Sequence, residues 1–187
     1  MPPARPFLPG RPKSLGASGY SAASINDVIV SGGLTKGGLF QHFPSKQSIP
    51  QQLVDRWSLA VALSFSDAAA TGEPATRQLR EVFLGLARKV ESDVHLRAGM
   101  KLTLESAVDG GHQVYREWVD LTSELVDQGI KAAVVGDDAR GHRLAWNLCA
   151  GFVGAVDAVA VLREDIDLPA RVDEAVTAYL DSVKPAP

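Results

Sequence analysis

The sequence predicts an all-α fold. Apolar residues return every three or four positions through most of the chain, the spacing of one face of a helix. No stretch alternates apolar and polar residues as a half-buried strand would. Glycine, proline and aspartate cluster at a few points that divide the pattern into segments of helical length.

The first helices come from the stretch after Gly19. Ser24 is an N-cap residue with Asp27 three positions on, and Gly32-Gly33 stop that helix and turn the chain. Thr35 caps a second short helix, and Ser45 after Pro44 caps a third. Two short helices joined by a glycine turn are the plan of a helix-turn-helix, whose second helix enters the DNA major groove by its N-terminal end. Thr35, Lys36 and Gly37 stand at that end, offering a hydroxyl, a cation and a backbone open to close approach.

The remaining helices follow in order. Ile49, Leu53, Trp57 and Val61 form one stripe from about Ser45 to Ala69, with Pro50 in the first turn, where its missing N–H costs little. Thr71-Gly72-Glu73-Pro74 breaks the chain. Leu79, Val82, Phe83, Leu86 and Val90 mark the next helix, and His95 to Ala107 a shorter one. After Asp109-Gly110-Gly111, Val114, Trp118, Leu121, Leu125 and Ile130 define a long helix up to Gly136-Asp137. Another runs from about Asp138 to Arg163 with Leu144, Leu148, Phe152, Ala155, Val159 and Leu162 on one face; the last, after Asp167-Leu168-Pro169, carries Val172, Val176, Tyr179, Leu180 and Val183. Ala150 to Val161 is apolar nearly all round except for Asp157, so burial on more than one side is expected.

Composition narrows the function. The chain has 187 residues, 45% of them hydrophobic, enough for one core or two small ones. The sequence shows no signal peptide and no apolar run long enough to span a bilayer, and its one cysteine, Cys149, cannot form an internal disulfide; a cytoplasmic protein is expected. Cys149 reads as a buried small hydrophobe. The net charge of −3 is unevenly spread. Residues 1–57 hold six cations (Arg5, Arg11, Lys13, Lys36, Lys46, Arg56) against two anions (Asp27, Asp55), whereas the rest is acidic. A cationic head on an acidic body suits a protein that meets phosphates at one end. No metal-ligand cluster, phosphate-cradling loop or nucleophile–histidine arrangement is legible, and His95, His112 and His142 are scattered, so neither an enzyme nor a cofactor is expected.

The run from Ser24 to Lys46, with Thr35-Lys36-Gly37, Leu39-Phe40, His42-Phe43 and Ser45-Lys46, resembles the DNA-binding signature of TetR-family transcriptional regulators. Ser24-Ile25-Asn26-Asp27, His42-Phe43-Pro44-Ser45-Lys46 and a second run, Leu96 to Glu105, resemble the γ-butyrolactone autoregulator receptors within that family. The resemblance implies a helix-turn-helix DNA-binding domain with its connecting helix over residues 19–66 and a helical ligand-binding and dimerisation domain over 67–187. It implies operator contacts from Ser24, Thr35, Lys36, Gly37, Phe40, Gln41, His42 and Lys46. It also implies an effector cavity lined by Trp118, Tyr115, Phe83, Leu86, Met100, Leu102, Thr103, Leu121 and Phe152, with Trp118 as the pocket tryptophan of the Tyr115-x-x-Trp118 spacing. Trp146 reads as interface or core, and Trp57 as packing between head and body. Partners implied are double-stranded operator DNA, a small hydrophobic effector and a second copy joined through the last two helices, with Gly151, Gly154, Ala155 and Ala158 allowing close approach.

This chain departs from the family pattern in places. Phe40 stands where most members have tyrosine, and Gly38 loosens the recognition helix by about 1 kcal/mol. Residues 1–18 stand where the family has an amphipathic first helix, yet five prolines and two glycines forbid a long one. Two readings stay open for this segment. One is a frameshift upstream of about Ala17, since codons for Arg11 to Gly16 read one base earlier can spell the end of such a helix. The other is a basic, proline-rich arm whose Arg5, Arg11 and Lys13 touch phosphates or the minor groove.

Overall fold

The computed structural model describes residues 49–105, 108–162 and 167–185. Among these residues six α-helices run in order: α1 Ile49–Ala70, α2 Ala75–Ser92, α3 Val94–Leu102, α4 Gly111–Lys131, α5 Leu144–Leu162 and α6 Leu168–Ser182, with a 3-10 turn Gly141–Arg143 before α5. No strand occurs among the described residues. The eight residues expected to contact DNA, Ser24 to Lys46, lie outside them, as do residues 1–18 and the first part of the 19–66 segment. The expected domain boundary after residue 66 falls inside α1, a continuous helix.

Helix α1 packs on α3 and α2; α2 packs on α6 and α4; α5 packs on α4 and α6. The stripe Ile49, Leu53, Trp57 and Val61 faces inward along α1, as do Leu79, Val82, Phe83, Leu86 and Val90 along α2. The main core joins Trp57, Val61 and the α2 stripe to Met100, Trp118, Leu125, Leu148, Phe152, Val172 and Val176. A smaller cluster of Ile49, Leu53, Val54, Ala98, Leu102 and Val108 fills the junction of α1 and α3.

The ends of the helices are set by local chemistry. Asp93 caps α3, its Oδ1 accepting from the backbone N–H groups of His95 at 2.8 Å and Leu96 at 3.4 Å. Asp167 caps α6 by accepting from the Ala170 N–H at 2.9 Å. Gly110 enters α4 at a φ of 75°, in the left-handed region that glycine adopts without steric cost. Helix α3 ends at Leu102, short of the expected Ala107, where Thr103 and Leu104 turn the chain. Helix α5 starts at Leu144 rather than near Asp138, because Asp138 accepts from the N–H groups of Arg140 and Gly141 and holds a turn there.

The face of α5 differs from the sequence reading. Leu144, Ala145, Leu148, Cys149, Phe152, Val153 and Val156 are buried, whereas Ala155 and Val159 are half-buried and Leu162 is 59% exposed. A helix of 3.6 residues per turn carries one stripe inward, and in α5 this stripe continues through Val156 rather than Ala155. The burial expected on more than one side is therefore not reached within one chain. Trp146 is 62% exposed and so is no part of the chain's own core. Gly141–Leu162 also reaches the length and apolarity of a membrane span, with a mean hydropathy of 1.7, contrary to the expectation that no run would. Its inner stripe is nonetheless packed in the core, and the half-buried Asp157 of the same helix pairs with Lys101 Nζ of α3 at 2.8 Å.

Candidate functional site: an aromatic cluster in the helical body

Four helices bring five aromatic rings together. Trp118 of α4 is at the centre, with its ring centroid 5.3 Å from Trp57 of α1, 5.8 Å from Phe83 of α2, 5.5 Å from Phe152 of α5 and 5.7 Å from Tyr115 one turn away. The Trp57, Tyr115 and Phe152 planes stand at 84° to 89° to it, the edge-to-face arrangement that aromatic quadrupoles favour. Phe152 closes the group at 6.3 Å from Trp57 and 5.9 Å from Phe83. Trp57, Phe83 and Trp118 have no exposed surface.

The polar atoms here are few. The indole Nε1 atoms of Trp57 and Trp118 are buried without a hydrogen-bond partner. An unpaired buried donor costs roughly 1–3 kcal/mol, so two in one cluster mark a place where an acceptor is wanting. The Thr122 hydroxyl, one turn from Trp118, donates to the Trp118 carbonyl at 2.8 Å. Burial pushes the Cys149 thiol up to about 12, against a small opposing effect from Thr122, whose Oγ1 lies 3.5 Å from its sulfur. It is a packed thiol rather than a nucleophile. Burial, then the neighbouring Cys149, raises the Tyr115 phenol.

Among the nine residues expected at an effector site, Phe83, Leu86, Met100, Trp118 and Phe152 lie in the main core, with Tyr115 and Leu121 packed against it. Leu102 lies instead in the cluster between α1 and α3. Thr103 follows it at the end of α3, fully buried, its carbonyl 3.2 Å from the His112 ring. The structure adds Trp57, which sequence reasoning placed between head and body. The only signal for it was its place on the inward stripe of α1, which cannot tell one inner neighbour from another. A surface groove of about 740 Å³ between α2 and α6, lined by Thr76, Arg80, Thr177 and Leu180 among others, contains none of the nine. Among the described residues no group of three His, Cys, Asp or Glu is placed to hold a metal ion.

The second run of the sequence finds a physical reason in this geometry. A Cβ on Gly99 would collide with the Leu53 carbonyl oxygen, so α3 crosses α1 at a distance only glycine permits. Two residues on, Lys101 pairs with Asp157 and ties α3 to α5. Arg56 of α1 reaches the α3 cap, its Nη2 3.0 Å from Asp93 Oδ2.

The described residues thus form an all-helical body with an aromatic cluster at its centre. Residues 13–53 match the family model of bacterial regulatory proteins of the tetR family, a match that runs into the first turn of α1. The chain is 28% identical over 111 residues to the A-factor receptor protein of Streptomyces griseus, covering 59% of this chain but only 38% of that receptor. It is 20% identical over 176 residues to the HTH-type transcriptional repressor DhaR of Mycobacterium sp. (strain GP1), covering 90% of this chain and 85% of the repressor. Two crystal structures of a gamma-butyrolactone receptor (ArpA-like protein) share its fold, with TM-scores of 0.56 and 0.58 at 17% identity. They cover 88% and 87% of this chain, and 100% and 99% of those chains. These findings bear out the resemblance to TetR-family transcriptional regulators of the butyrolactone-receptor type.

Proposed function

We propose that the chain is a ligand-responsive transcriptional repressor, acting as a cytoplasmic homodimer on a pseudo-palindromic operator. The carrying observation is the buried Trp118 indole N–H, unpaired within an apolar aromatic cluster whose Trp57 sits on α1, the helix that the DNA-binding match overlaps. A small hydrophobic effector such as a γ-butyrolactone supplies a carbonyl acceptor to Trp118 and an alkyl tail to Phe83, Leu86, Met100 and Phe152. Binding favours a spacing of the two heads that mismatches the half-sites. Only a difference in effector affinity between the two arrangements can do this. The protein works by binding rather than turnover.

The dimer is supported by α5, where Trp146, Val161 and Leu162 are 62%, 75% and 59% exposed. Gly154 and Ala158 lie exposed on the same helix, and a Cβ on Gly154 would meet nothing within 4 Å. An apolar helix face of this kind on a monomer would be costly, and a twofold partner would cover it. On the operator, Thr35, Lys36 and Gly37 take the groove, with Ser24, Phe40, Gln41, His42 and Lys46 on the backbone and base edges.

The test is a gel shift on the DNA just upstream of the chain's own gene, with and without culture extract. Wild-type protein is expected to bind in a salt-sensitive way and to release with extract. Lys36→Ala should weaken operator binding and lower the salt slope by about 1, as loss of one cation at the DNA requires. Equal binding by that variant would remove Lys36 from the interface. The Pro/Gly-rich residues 1–18 favour a second reading, a member that dimerises and captures a small molecule without specific DNA binding. It predicts ligand binding with no operator shift even at low salt.

A further inference from the structure

Helix α5 carries a single charge. From Leu144 to Leu162 every residue except Asn147 and Asp157 is apolar. Trp146, Ala150, Gly154, Asp157 and Val161 recur at intervals of three or four along the helix, so they share one stripe, and all five are exposed or half-buried. Asp157 therefore stands within the apolar face that the previous subsection gives to a second copy.

The carboxylate has a cation beside it, and that cation comes from another helix. Lys101 of α3 places its Nζ 2.8 Å from Asp157 Oδ1, an atom that is itself buried and makes no well-aligned hydrogen bond. The Lys101 side chain is only 13% exposed, against 48% for Asp157. A lysine stem is long enough to carry its charge out to water, so an ammonium held this deep is held by its partner. The open half of Asp157 is the part that a second copy would cover. A bare carboxylate taken out of water is strongly unfavourable, and an opposite charge must go with it.

We propose that Lys101 is a dimerisation determinant: reaching in from α3, it neutralises Asp157 so that a second copy of the chain can close over the α5 face. The inference rests on the dimer reading above and adds to it a residue that no apolar pattern in α5 reveals. Closing the dimer strips away the water that screens the pair, so the attraction between the two charges strengthens as the partner arrives. The pair also ties the dimer face to α1, because Gly99, two residues before Lys101, lies against the Leu53 carbonyl.

The experiment is sedimentation equilibrium on the full-length protein, with helical circular dichroism as the check on folding. Wild-type protein is expected to be dimeric at micromolar concentration. Lys101→Met keeps an apolar stem and removes the cation; its dimer dissociation constant should rise about a hundredfold. Adding Asp157→Asn removes the stranded carboxylate, and the double variant should return to within about threefold of wild type. A folded Lys101→Met that dimerises like wild type overturns the proposal. So does a double variant that stays monomeric, since Lys101 would then act only by holding α3 in place. If Lys101→Met does not fold, Asp157→Asn alone decides: with no carboxylate to neutralise it should dimerise as wild type does, and a monomer overturns the proposal. Either result leaves the dimer reading standing, whereas a monomeric wild-type chain overturns that reading and this inference with it.

Discussion

Gly99 is the residue whose role is most sharply defined. The Leu53 carbonyl fills the space where its Cβ would be, and Trp57 Cβ lies 3.2 Å from the same point. Backbone cannot yield there as a flexible side chain would, so Gly99→Ala must push α3 off α1. The expected cost is about 1–3 kcal/mol by urea denaturation, and a variant as stable as wild type would show that the two helices do not cross so closely. Trp57 and Trp118 are the residues with a functional reading, and both are fixed by packing from four helices. At this scale the resemblance to the receptor family, carried by the Tyr115-x-x-Trp118 spacing, pointed to Trp118. It did not name Trp57, because an inward stripe gives a direction and not a neighbour.

Among the elements, α3 depends most on its ends. It has nine residues, too few to hold its shape alone, and it relies on the Asp93 cap and on packing against α1. Burial by itself would raise the Asp93 carboxyl; hydrogen bonds from the His95 N–H and ring and the Leu96 N–H, together with the Arg56 charge, outweigh it and hold the group below its ordinary value. A carboxyl depressed in the folded state stabilises the fold above its unfolded pKa. That stability is lost as pH falls through the folded value. Asp93→Ala should therefore cost about 1 kcal/mol near neutral pH and progressively less in acid, as read by thermal melts across that range. A difference between variant and wild type that does not shrink in acid would mean the carboxylate charge contributes nothing. The turn at Thr103-Leu104 that ends α3 early was not legible, because Val94 to Ala107 carries no proline to stop it.

The whole molecule poses the question of what covers α5. Its inner stripe is packed, its outer face is apolar, and Trp146 and Val161 lie near opposite ends of it. Trp146→Asp combined with Val161→Asp is expected to convert a dimer to a monomer in sedimentation velocity at micromolar concentration, with the helical circular dichroism spectrum retained. A dimer that persists would place the interface elsewhere. Across the chain, exposed ion pairs such as Arg80 to Asp173, at 2.6 and 2.7 Å, tie α2 to α6 but add little stability in water; the aromatic core carries the body.

The sequence by itself determined the helical class, the order and inner faces of most helices, and the resemblance to TetR-family regulators. Apolar periodicity and capping residues are local properties, and the helix-turn-helix pattern is a short one. Tertiary structure decided which inward residues meet. It put Trp57 beside Trp118, sent Leu102 to the other cluster, turned Leu162 outward and made Gly99 indispensable, because a stripe records that a side chain is hidden while the crossing of helices sets what it is hidden against.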